Sequence, residues 1–147
     1  MRRVAKGLLL VSVEEGGLTA ALQELAMTSA EQFHLKCECR CSGKPVLLDA
    51  VTASHLFYIA QEAVRNAARH GQPGRIIITL QAGPTGLTLT VDDDGIGIKS
   101  TDGPARGMGL RIMAHRAAMI RAGFSVQVAP GGGTKILCQL PQLAANQ

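Results

Sequence analysis

Apolar residues recur at helical spacing from Leu18 to His34 (LTAALQELAMTSAEQFH), and the chain then alternates from Leu35 to Cys41, so the pattern predicts a helix running into a strand. Ser42, Gly43, Lys44 and Pro45 form a turn. A longer helix follows over about Ala53–His70, with Leu56, Ile59, Ala60, Ala63, Val64 and Ala67 on one apolar stripe. Gly71, Gln72, Pro73 and Gly74 stop it with the residues that helix ends favour. Arg75–Ala82 and Leu87–Asp92 flank Gly83, Pro84, Thr85 and Gly86 and read as a hairpin. The segment Gly95–Gly109 then breaks the pattern, with five glycines, a proline and little apolar content. Such long irregular segments within a compact chain are usually functional or disordered. A third helix over about Met108–Ala122 and a strand pair, Ser125–Ala129 and Thr134–Leu140, complete the pattern, with a disordered tail expected over 142–147.

The order is helix, strand, helix, strand, strand, loop, helix, strand, strand. Paired strands with few crossovers favour an α+β fold, a two-layer α/β sandwich, over a doubly wound parallel sheet. At 147 residues and 46% apolar composition the chain can fill the core of one domain, which argues against disorder. Fifteen Lys and Arg against eleven Asp and Glu give a net charge of +4, which alone names no partner. Trp is absent and there are only three Phe and one Tyr, so a surface that stacks nucleic-acid bases is hard to assemble and no nucleic-acid partner is expected.

The longest uncharged apolar run near the start, Gly7–Val13, is far short of the ~20 residues that span a bilayer, and Glu14 and Glu15 follow it without a small-residue cleavage site. Neither secretion nor direct membrane contact is expected. Cys37, Cys39 and Cys41 alternate with Glu38 and Arg40 and so share one strand face, while Cys138 lies in another apolar stretch. Cysteines two apart on a strand rarely make good disulfides, and no paired C-x-x-C elements of a zinc ribbon occur. Buried reduced thiols in the cytoplasm are the simpler reading.

Beside the apolar stripe of the second helix, Glu62, Asn66 and Arg69 are spaced by four and three and would line one edge of that helix. A carboxylate, an amide oxygen and a cation in line can serve a metal-bound phosphate, since Mg²⁺ takes few protein ligands; a solvated helix edge explains the same spacing. At a strand end, Asp92, Asp93 and Asp94 precede Gly95, Ile96 and Gly97. An EF-hand is excluded, because Thr90 and Thr101 would stand where carboxylates are required. What is left is a tight turn, or one aspartate accepting a hydrogen bond from the amino group of a base, with glycines letting backbone approach a flat ligand. Gly107, Met108, Gly109 and Leu110 lead into a helix whose start can hold phosphate, yet they complete neither a Walker P-loop nor G-x-G-x-x-G. Gly131, Gly132, Gly133 and Thr134 turn into the last strand and could border a ligand.

Taken in order, QEAVRNAARH, DDDGIGI, GMGL and GGGT resemble the ATP-binding catalytic domain of sensor histidine kinases, in the superfamily shared with DNA gyrase, MutL and heat-shock chaperones. The resemblance covers residues 18–141. It is nearest the branch of nitrate sensors and the desaturase regulator, whose first box Gln61–His70 matches and whose G-L-x-x-M-x-x-R-A segment is similar to the stretch from Gly109 to Ile120. It implies a mixed sheet covered on one face by three helices, with an ATP lid between the third strand, Leu87–Asp92, and the third helix. It implies ATP and Mg²⁺, with Asn66 as metal ligand and Glu62 as the acidic residue that holds the metal or polarises the attacking group. Arg69 and His70 would contact phosphate, Asp93 the adenine amino group, and Thr134 the same base. Gly95 and Gly97 would shape the pocket, and Gly107 and Gly109, beside Leu110, would hinge the lid.

A complete kinase carries a phosphoacceptor histidine followed by an acidic residue on a dimerisation helix; none of His34, His55, His70 and His115 has that setting. The resemblance therefore implies an ATP-binding part whose acceptor lies in a dimerisation domain outside this chain, with residues 1–17 as the remnant of that domain's last helix and its linker. The phosphoryl group would pass on to a response regulator. The chain is expected to be monomeric or weakly dimeric. Two other readings are a stand-alone serine kinase of the anti-sigma-factor type and a non-catalytic interaction module.

Overall fold

The computed structural model describes residues 8–11, 17–43, 46–96, 104–129 and 131–141. In chain order the elements are β1 (Leu8–Val11), α1 (Gly17–Phe33), β2 (Lys36–Ser42), β3 (Val46–Asp49), α2 (Ala50–Asn66) with a π-helical turn (Ala67–Gly71), β4 (Arg75–Gly83), β5 (Gly86–Asp93), α3 (Pro104–Met119), β6 (Gly123–Val128) and β7 (Thr134–Pro141). Five strands form one mixed sheet in the order β2-β4-β5-β7-β6. Only β2 and β4 run parallel, and the chain crosses between them through β3 and α2; the other neighbours are antiparallel. The α+β fold expected from the sequence is the one observed.

Strand alternation decides which face of the sheet is covered. Ile76, Ile78, Leu80 and Ala82 of β4, Leu87, Leu89 and Val91 of β5, and Ile136, Cys138 and Leu140 of β7 are buried, with the residues between them more open. Against this face α1 brings Leu18, Leu22, Leu25 and Ala26, α2 brings Leu56, Ile59, Ala60, Ala63 and Val64, and α3 brings Met113 and Ala117. The core is aliphatic, as the scarcity of aromatic residues requires. Cys37, Cys39 and Cys41 pack against it from β2, with the Cys39 and Cys41 sulfurs 3.7 Å apart. All four cysteines are free thiols. Burial, with their neighbours' negative charge, pushes Cys37 up to about 11 and Cys39 to about 12, and burial alone pushes Cys138 to about 11, so these three are protonated at neutral pH.

Two short strands differ from the pattern read in the sequence. Leu8–Val11 lies within the segment expected to be the end of a helix and its linker, but it is a strand, paired antiparallel with Val46–Asp49 in a separate two-stranded sheet. Each is only four residues long and almost uniformly apolar (LLLV and VLLD), so neither shows the alternation from which a strand is read. The first turn of α2 also starts earlier than expected, at Ala50, because Asp49 caps it: its Oδ1 accepts the backbone N–H of Thr52 at 2.6 Å. The expected tail over 142–147 and the middle of the expected lid fall outside the described residues. Among the described residues no helix is long and apolar enough to cross a membrane.

The N-cap bonds from Thr52 backbone and hydroxyl hold the Asp49 carboxyl below its ordinary value. A lowered carboxyl stabilises the fold above its unfolded pKa of about 3.9 and loses that contribution as pH falls through the folded value. Asp49→Ala is therefore expected to cost ~1 kcal/mol at pH 7 in a urea titration, with the gap to the parent chain closing below about pH 3. A gap that stays constant into acid would assign the loss to something other than the ionised cap.

Candidate functional site

The last turn of α2 widens into a π-helical turn over Ala67–Gly71, a form that appears mostly as single turns and often at functional sites. A helix end leaves carbonyls without intrahelical partners. Here the Gly71 carbonyl accepts the backbone N–H of Ile96 at 2.8 Å, so the end of α2 is capped by the turn that leaves β5. The approach is close enough that a Cβ on Gly95 would fall on the Gly71 carbonyl oxygen. The left-handed residue that ends the turn is Gln72 (φ +50°). The sequence placed Gly71 there as a helix stop; its position is instead fixed by contact with a residue far along the chain.

Three adjacent aspartates stand at that turn, and the fold gives each a different surrounding. Asp92 lies on the open face of the sheet beside Lys135; burial raises its carboxyl, Lys135 opposes the rise, and Asp93 adds to it. Asp93 turns the other way and is only 7% exposed, with Oδ1 accepting the Gly95 backbone N–H at 2.8 Å. The exposed Asp94 carboxylate turns back to the start of β4, where Oδ1 accepts the N–H groups of Gly74 (2.9 Å) and Arg75 (3.0 Å). This distribution relieves the repulsion that three carboxylates in a row would otherwise suffer.

Between α2, α3 and the inner face of β5 and β7 lies a hollow of about 240 Å³, counting its open mouth. Asn66 (6% exposed), Asp93 and Thr134 (3% exposed) supply its polar groups; Ala63, Ala67, Val91, Leu110, Met113 and Ile136 supply apolar walls. Beyond Asn66, one turn back on α2, Glu62 is half-buried, with Oε1 3.8 Å from the Arg65 guanidinium. The start of α3 passes so close to this edge that a Cβ on Gly109 would stand 2.7 Å from Glu62 Oε2 and 3.2 Å from Asn66 Nδ2. An amide and a carboxylate one helical turn apart form a hard-oxygen pair of the kind that suits Mg²⁺ with phosphate and water oxygens completing its shell.

The structure thus brings Glu62, Asn66, Asp93, Gly95, Gly109, Leu110 and Thr134 together. It does not bring Arg69 to them. The sequence placed Glu62, Asn66 and Arg69 in one row, but the π-helical turn changes the helical phase after Asn66, and Arg69 is exposed while His70 is half-buried; neither lines the hollow. Gly107 is exposed within α3, which begins at Pro104, four residues earlier than expected, and Gly97 lies outside the described residues. Sequence reasoning missed Gly71 and Asp94, and read Ala63 and Ala67 only as core. The glycine run before Thr134 stands out in the sequence, and one of its members makes a close approach there. A Cβ on Gly133 would fall on the Asp93 carbonyl oxygen, so the start of β7 closes directly over Asp93.

A three-helix layer on one face of a mixed sheet, with a polar-edged hollow opening beside the start of α3, is the architecture of histidine kinase ATP-binding domains. The ATP-binding domain of PrrB from Mycobacterium tuberculosis superposes with a TM-score of 0.70 over 86% of this chain and 95% of that one, at 20% identity. Residues 51–144 match the family described as histidine kinase-, DNA gyrase B-, and HSP90-like ATPase, and the chain belongs to that family. Among curated proteins it is 32% identical over 127 residues to the nitrate/nitrite sensor protein NarQ of Escherichia coli K12, covering 86% of this chain and 22% of NarQ. It is 31% identical over 147 residues to the sensor histidine kinase MctS of Rhizobium johnstonii, covering 98% of this chain and 32% of MctS. The chain therefore spans between a fifth and a third of the length of these relatives.

The two glycines at 133 and 107 sit in opposite surroundings. Gly133→Ala is expected to lower stability by ~2–3 kcal/mol in chemical denaturation, because the new methyl meets backbone that cannot step aside. Gly107→Ala meets nothing within 4 Å and is expected to raise stability by ~0.5–1 kcal/mol as a gain in helix propensity. Equal losses in both variants would contradict the packing described for the start of β7.

Proposed function

We propose that this chain is the catalytic, ATP-binding part of a two-component sensor histidine kinase. It binds Mg·ATP and presents the γ-phosphoryl group to a histidine on a dimerisation domain, for relay to a response regulator. The observation that carries the proposal is that Asp93, Asn66 and Thr134, the polar residues of three separate sequence boxes, share one hollow under the start of α3. Family membership supports ATP as the nucleotide, and sensor kinases among the relatives favour this reading over a stand-alone serine kinase.

In this reading adenine enters the hollow with its amino group donating to the Asp93 carboxylate, and Thr134 supports the same edge. The alanines at 63 and 67 leave room for a flat ring where larger side chains would fill the space. The triphosphate runs out along the start of α3 past Asn66 and Glu62. Those two residues would hold Mg²⁺, which when bound neutralises charge on the phosphates. Glu62 orients the attacking imidazole. A bond forms from the histidine nitrogen to the γ-phosphorus as the bond to the β,γ-bridging oxygen breaks, and ADP leaves with that electron pair. Gly95 shapes the base end of the pocket, and Gly97, outside the described residues, would serve the same end. Gly107 and Gly109, just before Leu110, would hinge the segment over the phosphates, and Arg69 and His70, which do not line the hollow, would contact phosphate beyond its mouth. No histidine of the chain has the acceptor's setting, so in this reading the acceptor is supplied by a separate dimerisation domain. The setting is cytoplasmic, where ATP and reduced thiols coexist.

Titration calorimetry with Mg·ATP and Mg·ADP tests this. Asn66→Ala and Asp93→Asn are each expected to weaken binding by ~1–3 kcal/mol, the size of a lost buried polar partner. The same preparation supplied with γ-labelled ATP is expected to stay unlabelled. Unchanged affinity in both variants would favour a non-catalytic interaction module, and self-labelling would place an acceptor within the chain.

A further inference from the structure

The aspartate next to the proposed base-reading residue touches nothing in the hollow, yet it holds the hollow's floor in register. Asp94 Oδ1 accepts both the Gly74 and Arg75 N–H groups, and Asp94's own N–H donates to the Arg75 carbonyl at 3.3 Å. These three bonds tie the residue after Asp93 to the loop that joins the π-helical turn to β4. Two residues along, the Ile96 N–H is bonded to the Gly71 carbonyl, at the other end of the same loop. The turn Asp93–Ile96 is thus pinned at both ends to the segment Gly71–Arg75, and the Asp93 carboxylate sits between the pins with its Oδ1 on the Gly95 N–H.

We infer that Asp94 is a positioning residue for base recognition, and that its clamp on Gly74 and Arg75 sets the angle at which Asp93 meets the ring. The inference rests on the function proposed above. A carboxylate reads an amino group through a directional hydrogen bond, which weakens steeply once its angle departs from linearity. A base with a carbonyl at that position gains nothing from the same carboxylate. Asp94 therefore acts on the difference in affinity between 6-amino and 6-oxo purine nucleotides more than on affinity for triphosphate, which is held elsewhere. Neither Ser nor Ala at position 94 could accept the same pair of N–H groups with a delocalised charge, whereas Asn keeps one carbonyl oxygen at the place of Oδ1.

The test measures binding of Mg·ATP and Mg·GTP by calorimetry for the parent chain, Asp94→Ala, Asp94→Asn and, as a stability control remote from the hollow, Asp49→Ala, each checked for folding by circular dichroism at the assay temperature. The parent is expected to prefer ATP. Asp94→Ala is expected to narrow the ATP-to-GTP preference by roughly threefold to tenfold, the scale of a misaligned charged hydrogen bond. Asp94→Asn should restore most of it, and Asp49→Ala should leave the ratio as it is. A merely structural defect lowers the folded fraction and scales both affinities together, leaving the ratio untouched. If the parent prefers ATP and folded Asp94→Ala keeps the full preference, the positioning role is wrong and the proposed function stands. A parent chain that binds neither nucleotide, or both equally, would overturn the functional reading itself.

Discussion

The contact on which the site depends is the seating of Gly71, the last residue of the π-helical turn, against Gly95 in the turn after β5. The Gly71 carbonyl is an orphan of the helix end, and the Ile96 N–H satisfies it at 2.8 Å. Because Gly95 has no Cβ, the two backbones meet directly. This joins the C-terminal end of α2 to the C-terminal end of β5. Asn66, one turn before the junction, and Asp93, two residues before Gly95, then necessarily open onto the same space. Any larger residue at 95 would separate helix from strand and divide the hollow's polar groups between two surfaces.

The arrangement places polar groups at the border of an aliphatic core, where an unpaired group is costly. The structure meets that cost locally. Asp93 takes the Gly95 N–H, Asp94 takes two N–H groups at the start of β4, and Glu62 lies near Arg65. The three aspartates that look redundant in the sequence have separate duties, one on the open sheet face beside Lys135, one in the hollow and one clamping a loop. On the far wall, Gly133 lets β7 begin directly over Asp93, so the acidic floor is enclosed by backbone rather than by side chains.

Long periodic segments made much of this fold legible. The stripe Leu56, Ile59, Ala60, Ala63, Val64 and Ala67 is buried as its spacing requires, and the β4–β5 hairpin pairs across Pro84 and Thr85 as its turn residues foretell. The four short boxes are recognisable in order, and they contain the three polar residues that share the hollow, Asn66, Asp93 and Thr134. Other features depend on contacts between distant positions. Arg69 leaves the row of Glu62 and Asn66 because a π-helical turn intervenes, and local spacing cannot anticipate a change of helical period. Gly71 reads as a helix stop, but its role is set by Gly95, and Asp94 reads as a spare carboxylate until the fold brings Gly74 and Arg75 beside it. The strands Leu8–Val11 and Val46–Asp49 are short apolar runs without alternation, and they are paired with each other.

The most direct test of the account is a crystal structure of the chain with Mg²⁺ and a non-hydrolysable ATP analogue. The expected result places the adenine amino nitrogen within hydrogen-bonding distance, ~2.7–3.2 Å, of the Asp93 carboxylate, with the metal on the Asn66 side of the same hollow. An analogue bound elsewhere, or bound in the hollow with its phosphates toward Asp93, would contradict it.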